Sequence, residues 1–69
     1  MTENAFSEIL KNLRRKHKHT QEDLANLLLV RKTTISNYET GYSMPDSKTL
    51  IKISEIYGVS LDDLLGQKI

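Results

Sequence analysis

The sequence predicts an all-α domain built from five short helices, and three observations carry that expectation. Apolar residues recur at helical spacing in one segment after another, as at Phe6, Ile9, Leu10 and Leu13. Residues suited to capping helix N-termini stand before these segments, and Gly41, Gly58 and Gly66 stand where segments should end. No stretch sustains the apolar–polar alternation of a strand that faces a core.

The first helix is expected from about Asn4 to Lys16, because Phe6, Ile9, Leu10 and Leu13 fall at i, i+3, i+4 and i+7 and align as one stripe. The second begins after Thr20, whose hydroxyl can accept from the amide near Asp23 while that carboxylate reaches back, as in a capping box. Its apolar positions are Leu24, Ala25, Leu27 and Leu28. The third covers Lys32 to Thr40 and stops at Gly41, a residue suited to the left-handed position that closes a helix. After the loop Tyr42-Ser43-Met44-Pro45, Asp46 caps a fourth helix that carries Leu50, Ile51, Ile53, Ile56 and Tyr57 and is closed by Gly58. A second capping box, Ser60-x-x-Asp63, opens a last short helix with Leu61, Leu64 and Leu65.

Size and composition narrow the function. A chain of 69 residues and 7.9 kDa is expected to form one domain over 1–69. Such a domain buries only about 60% of its unfolded surface, so its core is thin. There is no cysteine, which excludes disulfides and thiolate metal sites and fits a reducing compartment. The longest apolar run, Leu27-Leu28-Leu29-Val30, is far short of the roughly 20 residues of a membrane span, and Met1-Thr2-Glu3-Asn4 does not resemble a signal peptide. With 38% apolar and 28% charged residues the chain reads as a globular binding module; a water-excluding catalytic pocket is hard to build in so little chain.

Three arrangements invite catalytic or metal readings and do not sustain them. His17-x-His19 lacks a cysteine and has no carboxylate between Leu10 and Gln21, so it reads as a solvated helix end and no metal is expected. Asp62 and Asp63 point about 100° apart on a helix, and capping accounts for them. Ser, His and Asp occur without the spacing of a triad, so neither catalytic residues nor a cofactor is expected.

The charge is nearly balanced, ten Lys and Arg against nine Asp and Glu, but it is unevenly placed. Between Ile9 and Pro45, Lys11, Arg14, Arg15, Lys16, Lys18, Arg31 and Lys32 are opposed only by Glu22, Asp23 and Glu39. This is the footprint of a nucleic-acid face or, for the run Arg14 to His19, the cationic end of a helix favoured by its dipole. The second and third helices are separated only by Leu29-Val30-Arg31, the arithmetic of a helix-turn-helix at about residues 20–40. On a wheel from Lys32, Thr34, Ile35 and Tyr38 share one side, and Lys32, Thr33, Ser36 and Asn37 share the other. No acidic residue occurs from Val30 to Tyr38, whereas Lys, Thr, Ser and Asn are groups that bond base edges and phosphates.

These residues also carry a family resemblance. Leu13-Arg14, Thr20-Gln21-Glu22-Asp23-Leu24-Ala25, Val30, Thr34-Ile35-Ser36-x-Tyr38-Glu39-x-Gly41, Pro45, Thr49-Leu50 and Gly58-Val59-Ser60-Leu61-Asp62-Asp63-Leu64-Leu65 resemble, at fixed spacing, a Cro/repressor-type helix-turn-helix domain of the XRE family. The resemblance implies a lambda-repressor-like fold and a cytoplasmic, bacterial or phage-encoded regulator that binds double-stranded DNA. It implies that Lys32, Thr33 and Asn37 read bases, and that Gln21 bonds a phosphate. Arg31 would touch phosphate or an outer base, Thr34 and Ser36 would add phosphate or edge contacts, and Tyr42 and Ser43 would lie along the backbone. Arg14 and Glu39 match a partly buried ion pair of structural role.

One such domain reads only a few base pairs, so a homodimeric repressor on an inverted repeat is expected, with Leu61, Leu64, Leu65 and Ile69 as its contact surface. The competing reading is a protein-interaction module, an antitoxin or anti-regulator with weak DNA binding. Its support is the small net charge and the unusual turn and cap of the helix-turn-helix, two of four departures from the family pattern. Leu29 stands where Gly is common and is expected at positive φ, and Arg31 stands where a Ser or Thr cap is usual. Lys18 and His19 replace a small-then-apolar pair, so either His19 is half-buried or the local turn differs.

Overall fold

The structure, a computed structural model, describes residues 5–66. Five helices follow in order: α1 (Ala5–Lys16), α2 (Gln21–Leu28), α3 (Lys32–Thr40), α4 (Ser47–Tyr57) and α5 (Leu61–Leu64). No strand occurs among the described residues, and the expected start at Asn4 lies outside them. Each helix sends side chains to one core: Phe6 and Leu10 from α1, Leu24, Ala25 and Leu28 from α2, Ile35 and Tyr38 from α3, Ile53 and Tyr57 from α4, and Leu64 from α5. The rings of Phe6 and Tyr38 meet edge to face at 6.4 Å, which fastens α1 to α3. α3 packs against both α1 and α2, so it is braced from behind along its length.

The N-terminal caps form as their residue types dictate. Thr20 Oγ1 accepts from the Asp23 amide at 3.0 Å, and Asp23 Oδ2 accepts from the Thr20 amide at 2.8 Å. The Thr20 amide thereby holds the Asp23 carboxyl below its usual range. Asp46 accepts from Thr49, and Ser60 accepts from Asp63.

The C-terminal ends share one device. The amides of His19, Val30, Tyr42 and Val59 reach back across the last turn to the carbonyls of Arg14, Ala25, Asn37 and Ser54. Each bond requires the residue before the donor to adopt left-handed backbone. Gly41 (φ 80°) and Gly58 (φ 64°) do so without penalty, whereas Lys18 and Leu29 do so at φ 59° each, which costs a side-chain-bearing residue roughly 1–2 kcal/mol. Leu29 is 84% exposed, so little packing offsets its strain. Leu29→Gly is expected to stabilise the domain by about 0.5–1 kcal/mol, the strain relief less the added freedom of the unfolded chain, raising the melting temperature by a few degrees. A lower melting temperature would show that the leucine makes contacts that outweigh its backbone strain.

Two findings correct the sequence reading of the apolar residues. Leu64 is fully buried and seals the core beneath α5, so it is not available as a dimer contact. Of the other residues named for that surface, Leu61 is exposed, Leu65 is half-buried against the core, and Ile69 lies outside the described residues. Leu27 and Ile51, counted above with the apolar faces of α2 and α4, are 44% and 47% exposed. Gly66 ends the described chain against the start of α1, where an added Cβ would stand 2.7 Å from Ala5 Cβ.

Candidate nucleic-acid interface

The interface is built on α3. Ile35 and Tyr38 are buried and fix the rotation of the helix, with Thr34 half-buried beside them. That rotation turns Lys32 and Thr33 outward as exposed side chains and leaves Ser36 and Asn37 half-buried on the shoulders of the same helix. Arg31, exposed, occupies the N-cap position with extended backbone (φ −84°, ψ 151°) and makes no side-chain cap. The reason is chemical: a guanidinium carries donors only and cannot accept from first-turn amides. The start of α3 therefore combines outward backbone donors with two cations, Arg31 and Lys32, and no acid.

The far end of α3 is tied to the loop that follows through one carbonyl. Asn37 O accepts from the Tyr42 amide at 2.9 Å, the Ser43 amide at 3.2 Å and Thr40 Oγ1 at 3.3 Å. This holds Tyr42, 81% exposed, and the half-buried Ser43 beside the C-terminal turn of α3. Spacing alone gives no sign of this triple acceptance, because it runs through a main-chain oxygen.

Beneath the interface lies the Arg14–Glu39 pair, buried to 8% and 2% exposure. Arg14 Nε donates to Glu39 Oε2 at 2.5 Å and Nη2 donates to Oε1 at 3.1 Å, a two-pronged pair joining α1 to the end of α3. The third prong, Nη1, donates to the carbonyl of His19 at 2.7 Å and fixes the turn before α2. Bonding to Glu39 raises the pKa of Arg14 above its already high ordinary value. Gln21 joins the same network: its Nε2 donates to Glu39 Oε1 at 3.1 Å. The amide of Gln21 has a second N–H and a carbonyl, so the buried pair orients the side chain without exhausting it. Among the described residues every buried side-chain polar atom has a partner.

The histidines pack around Tyr57. His19, half-buried, has Nδ1 3.1 Å from Tyr57 Oη, and the His17 ring lies 4.8 Å from that of Tyr57. His17 Nδ1 is 2.9 Å from the Leu13 carbonyl. Burial pushes the Tyr57 hydroxyl up to about 12, so it stays protonated at neutral pH. Among the described residues no three His, Asp or Glu side chains converge as metal ligands, and no helix is long and apolar enough to cross a membrane.

The residues named from the sequence thus divide in two. Arg31, Lys32, Thr33, Thr34, Ser36, Asn37, Tyr42 and Ser43 lie along α3 and its two flanks, and Gln21 joins them through Glu39. Leu61 and Leu65 lie apart, at α5, which packs against α1 and α4.

The signature of the helix-turn-helix family matches residues 10–64, taking in the ion pair and all of α2, α3, α4 and α5. The chain belongs to the XRE-type helix-turn-helix family. It is 45% identical over 58 residues to the HTH-type transcriptional regulator ImmR of Bacillus subtilis, across 84% of this chain and 46% of ImmR. It is 48% identical over 60 residues to the HTH-type transcriptional regulator YqaE of the same organism, across 87% of this chain and 52% of YqaE. The chain spans about half the length of these curated relatives. Among solved structures, a transcriptional regulator from Listeria innocua superimposes with a TM-score of 0.86 at 32% identity, over 93% of this chain and 62% of that one. An XRE-type helix-turn-helix domain is a DNA-binding domain of transcriptional regulators.

Proposed function

We propose that this domain binds double-stranded DNA sequence-specifically by inserting α3 in the major groove, and that it represses transcription as a homodimer on an inverted repeat. The observation that carries the reading is the outer face of α3: acid-free, polar, headed by Arg31 and Lys32, and held rigidly from behind by Ile35 and Tyr38. On this face Lys32 can donate to guanine O6 and N7, Asn37 can bond adenine N6 and N7 as a pair, and the Thr33 methyl can meet the thymine methyl. Thr34, Ser36, Gln21, Tyr42 and Ser43 serve the backbone on either side.

Dimensions as well as information content support the dimer. The longest extent of the domain is 33 Å. Half-sites one helical turn apart place two copies about 34 Å between centres, so neighbours on one DNA face come within contact range. Leu61 and Leu65 are the residues proposed for that contact. Occupation of the groove over a promoter excludes polymerase, which makes repression the simplest consequence, and DNA access puts the site of action in the cytoplasm.

Selection of binding sites from a random duplex pool tests the reading. The expected product is an inverted repeat with half-sites one turn apart. A lone half-site would contradict the dimer, and no enrichment would favour a protein partner instead. On the enriched duplex, Arg31→Ala is expected to lower the slope of log Kobs against log salt by about 0.9, the effect of one lost phosphate contact. An unchanged slope with altered base preference would make Arg31 a base reader.

A further inference from the structure

Four helices end in the same left-handed turn, and at two of these turns the chain keeps a strained side chain where glycine would be free of strain. Those two residues, Lys18 and Leu29, stand just before and just after α2. Lys18 is exposed at φ 59°, its amide bonded to the Arg15 carbonyl at 2.9 Å, so its backbone is fixed while its side chain faces solvent. The turn itself does not require lysine, since glycine adopts this backbone readily and asparagine tolerates it. Arg15 and Lys16, also exposed, lie just before it in the last turn of α1, so this helix end carries a run of exposed cations.

This run is coupled to the interface by a continuous set of bonds. His19, which follows Lys18, gives its carbonyl to Arg14; Arg14 holds Glu39 at the end of α3; and Glu39 holds the amide of Gln21. Only His19 and Thr20 separate Lys18 from Gln21 along the chain. Of the nearby acids, Asp23 is turned back on the Thr20 amide, and Glu22 is exposed on α2. We propose that Lys18, backed by Arg15 and Lys16, is a DNA phosphate contact that extends the interface from α3 and Gln21 to the C-terminal end of α1. This rests on the DNA-binding function proposed above. The lysine is kept at a strained position because its ammonium follows the DNA backbone there.

Lys18→Gly and Lys18→Asn test it, since both residues accept left-handed backbone and keep the turn. Each variant is compared with the wild type by melting temperature and by binding to the enriched duplex and a shuffled one across a salt series. The expected result is a melting temperature for Lys18→Gly at or above that of the wild type, and several-fold weaker binding to both duplexes at low salt. The slope of log Kobs against log salt should fall by about 0.9, with base preferences retained. Lys52→Gln, which removes an exposed charge from α4, supplies the control for net charge alone. A slope for the Lys18 variants equal to that of the wild type or of Lys52→Gln overturns the proposal while leaving the DNA-binding function intact. A wild type that binds neither duplex overturns both.

Discussion

Arg14→Ala is expected to destabilise the domain by about 3–5 kcal/mol, the cost of stranding a buried carboxylate whose partner has been removed. Glu39 is 2% exposed and receives both Arg14 prongs and the Gln21 amide, so the lost donors cannot be replaced by water without opening the junction of α1, α2 and α3. A domain of this size has a total stability of roughly 3–10 kcal/mol, so the variant should be largely unfolded or close to it at 37 °C. Glu39→Ala should behave similarly, leaving a buried guanidinium with only the His19 carbonyl. Urea denaturation followed by circular dichroism measures the effect. The double variant Arg14→Met/Glu39→Leu separates the penalty from the net worth of the pair. Apolar replacement of a buried pair is often close to neutral, so it should recover most of the lost stability. A loss below about 1 kcal/mol for Arg14→Ala would show that the pair is screened like a surface salt bridge.

Asn37→Ala is expected to weaken binding to the enriched duplex by about 1–3 kcal/mol, roughly 5- to 150-fold, and to relax preference at one base pair. The substitution is clean because the structural work at this position is done by the main-chain carbonyl, which holds Tyr42, Ser43 and Thr40 and survives the change. The loop after α3 should therefore keep its place, and the melting temperature should shift little. Binding to enriched and random duplexes by competition decides the role. Equal weakening on both would make Asn37 a backbone contact rather than a reader of bases.

What was legible in the sequence is what depends on local chemistry. Thr20 with Asp23, Asp46 with Thr49, and Ser60 with Asp63 are short-range bonds dictated by residue type and spacing, and they form as read. The strain at Leu29 was legible only through the family resemblance, because the leucine stands where Gly is common. The missing cap at Arg31 was legible because a guanidinium cannot accept a hydrogen bond. The Arg14–Glu39 pair spans 25 positions, and only the family resemblance suggested it.

What was not legible depends on tertiary geometry. In the four residues of α5, Leu61 and Leu64 lie three positions apart on nearly one face, so periodicity cannot say which of them meets the core. α5 packs against α1 and α4 in a way that buries Leu64 and leaves Leu61 out, which removed one residue from the expected dimer surface. The left-handed backbone of Lys18 was hidden for a different reason, since Lys-His in place of a small-then-apolar pair reads only as a departure. Its significance emerges when the ends of four helices are seen to share one turn. The anchoring of Gln21 by Glu39 was equally out of reach, because it depends on α2 and α3 being brought together.

On the proposed function, the outer face of α3 reads the DNA. Amide chemical shifts of the labelled wild-type domain, followed during titration with the enriched duplex and then a shuffled one, test it directly. The expected result is a set of shifts specific to the enriched duplex at Lys32, Thr33 and Asn37, with shifts common to both duplexes at Gln21, Ser36, Tyr42 and Ser43. Shifts gathered around Leu61 and Leu65 on α5, with α3 unmoved by either duplex, would contradict it.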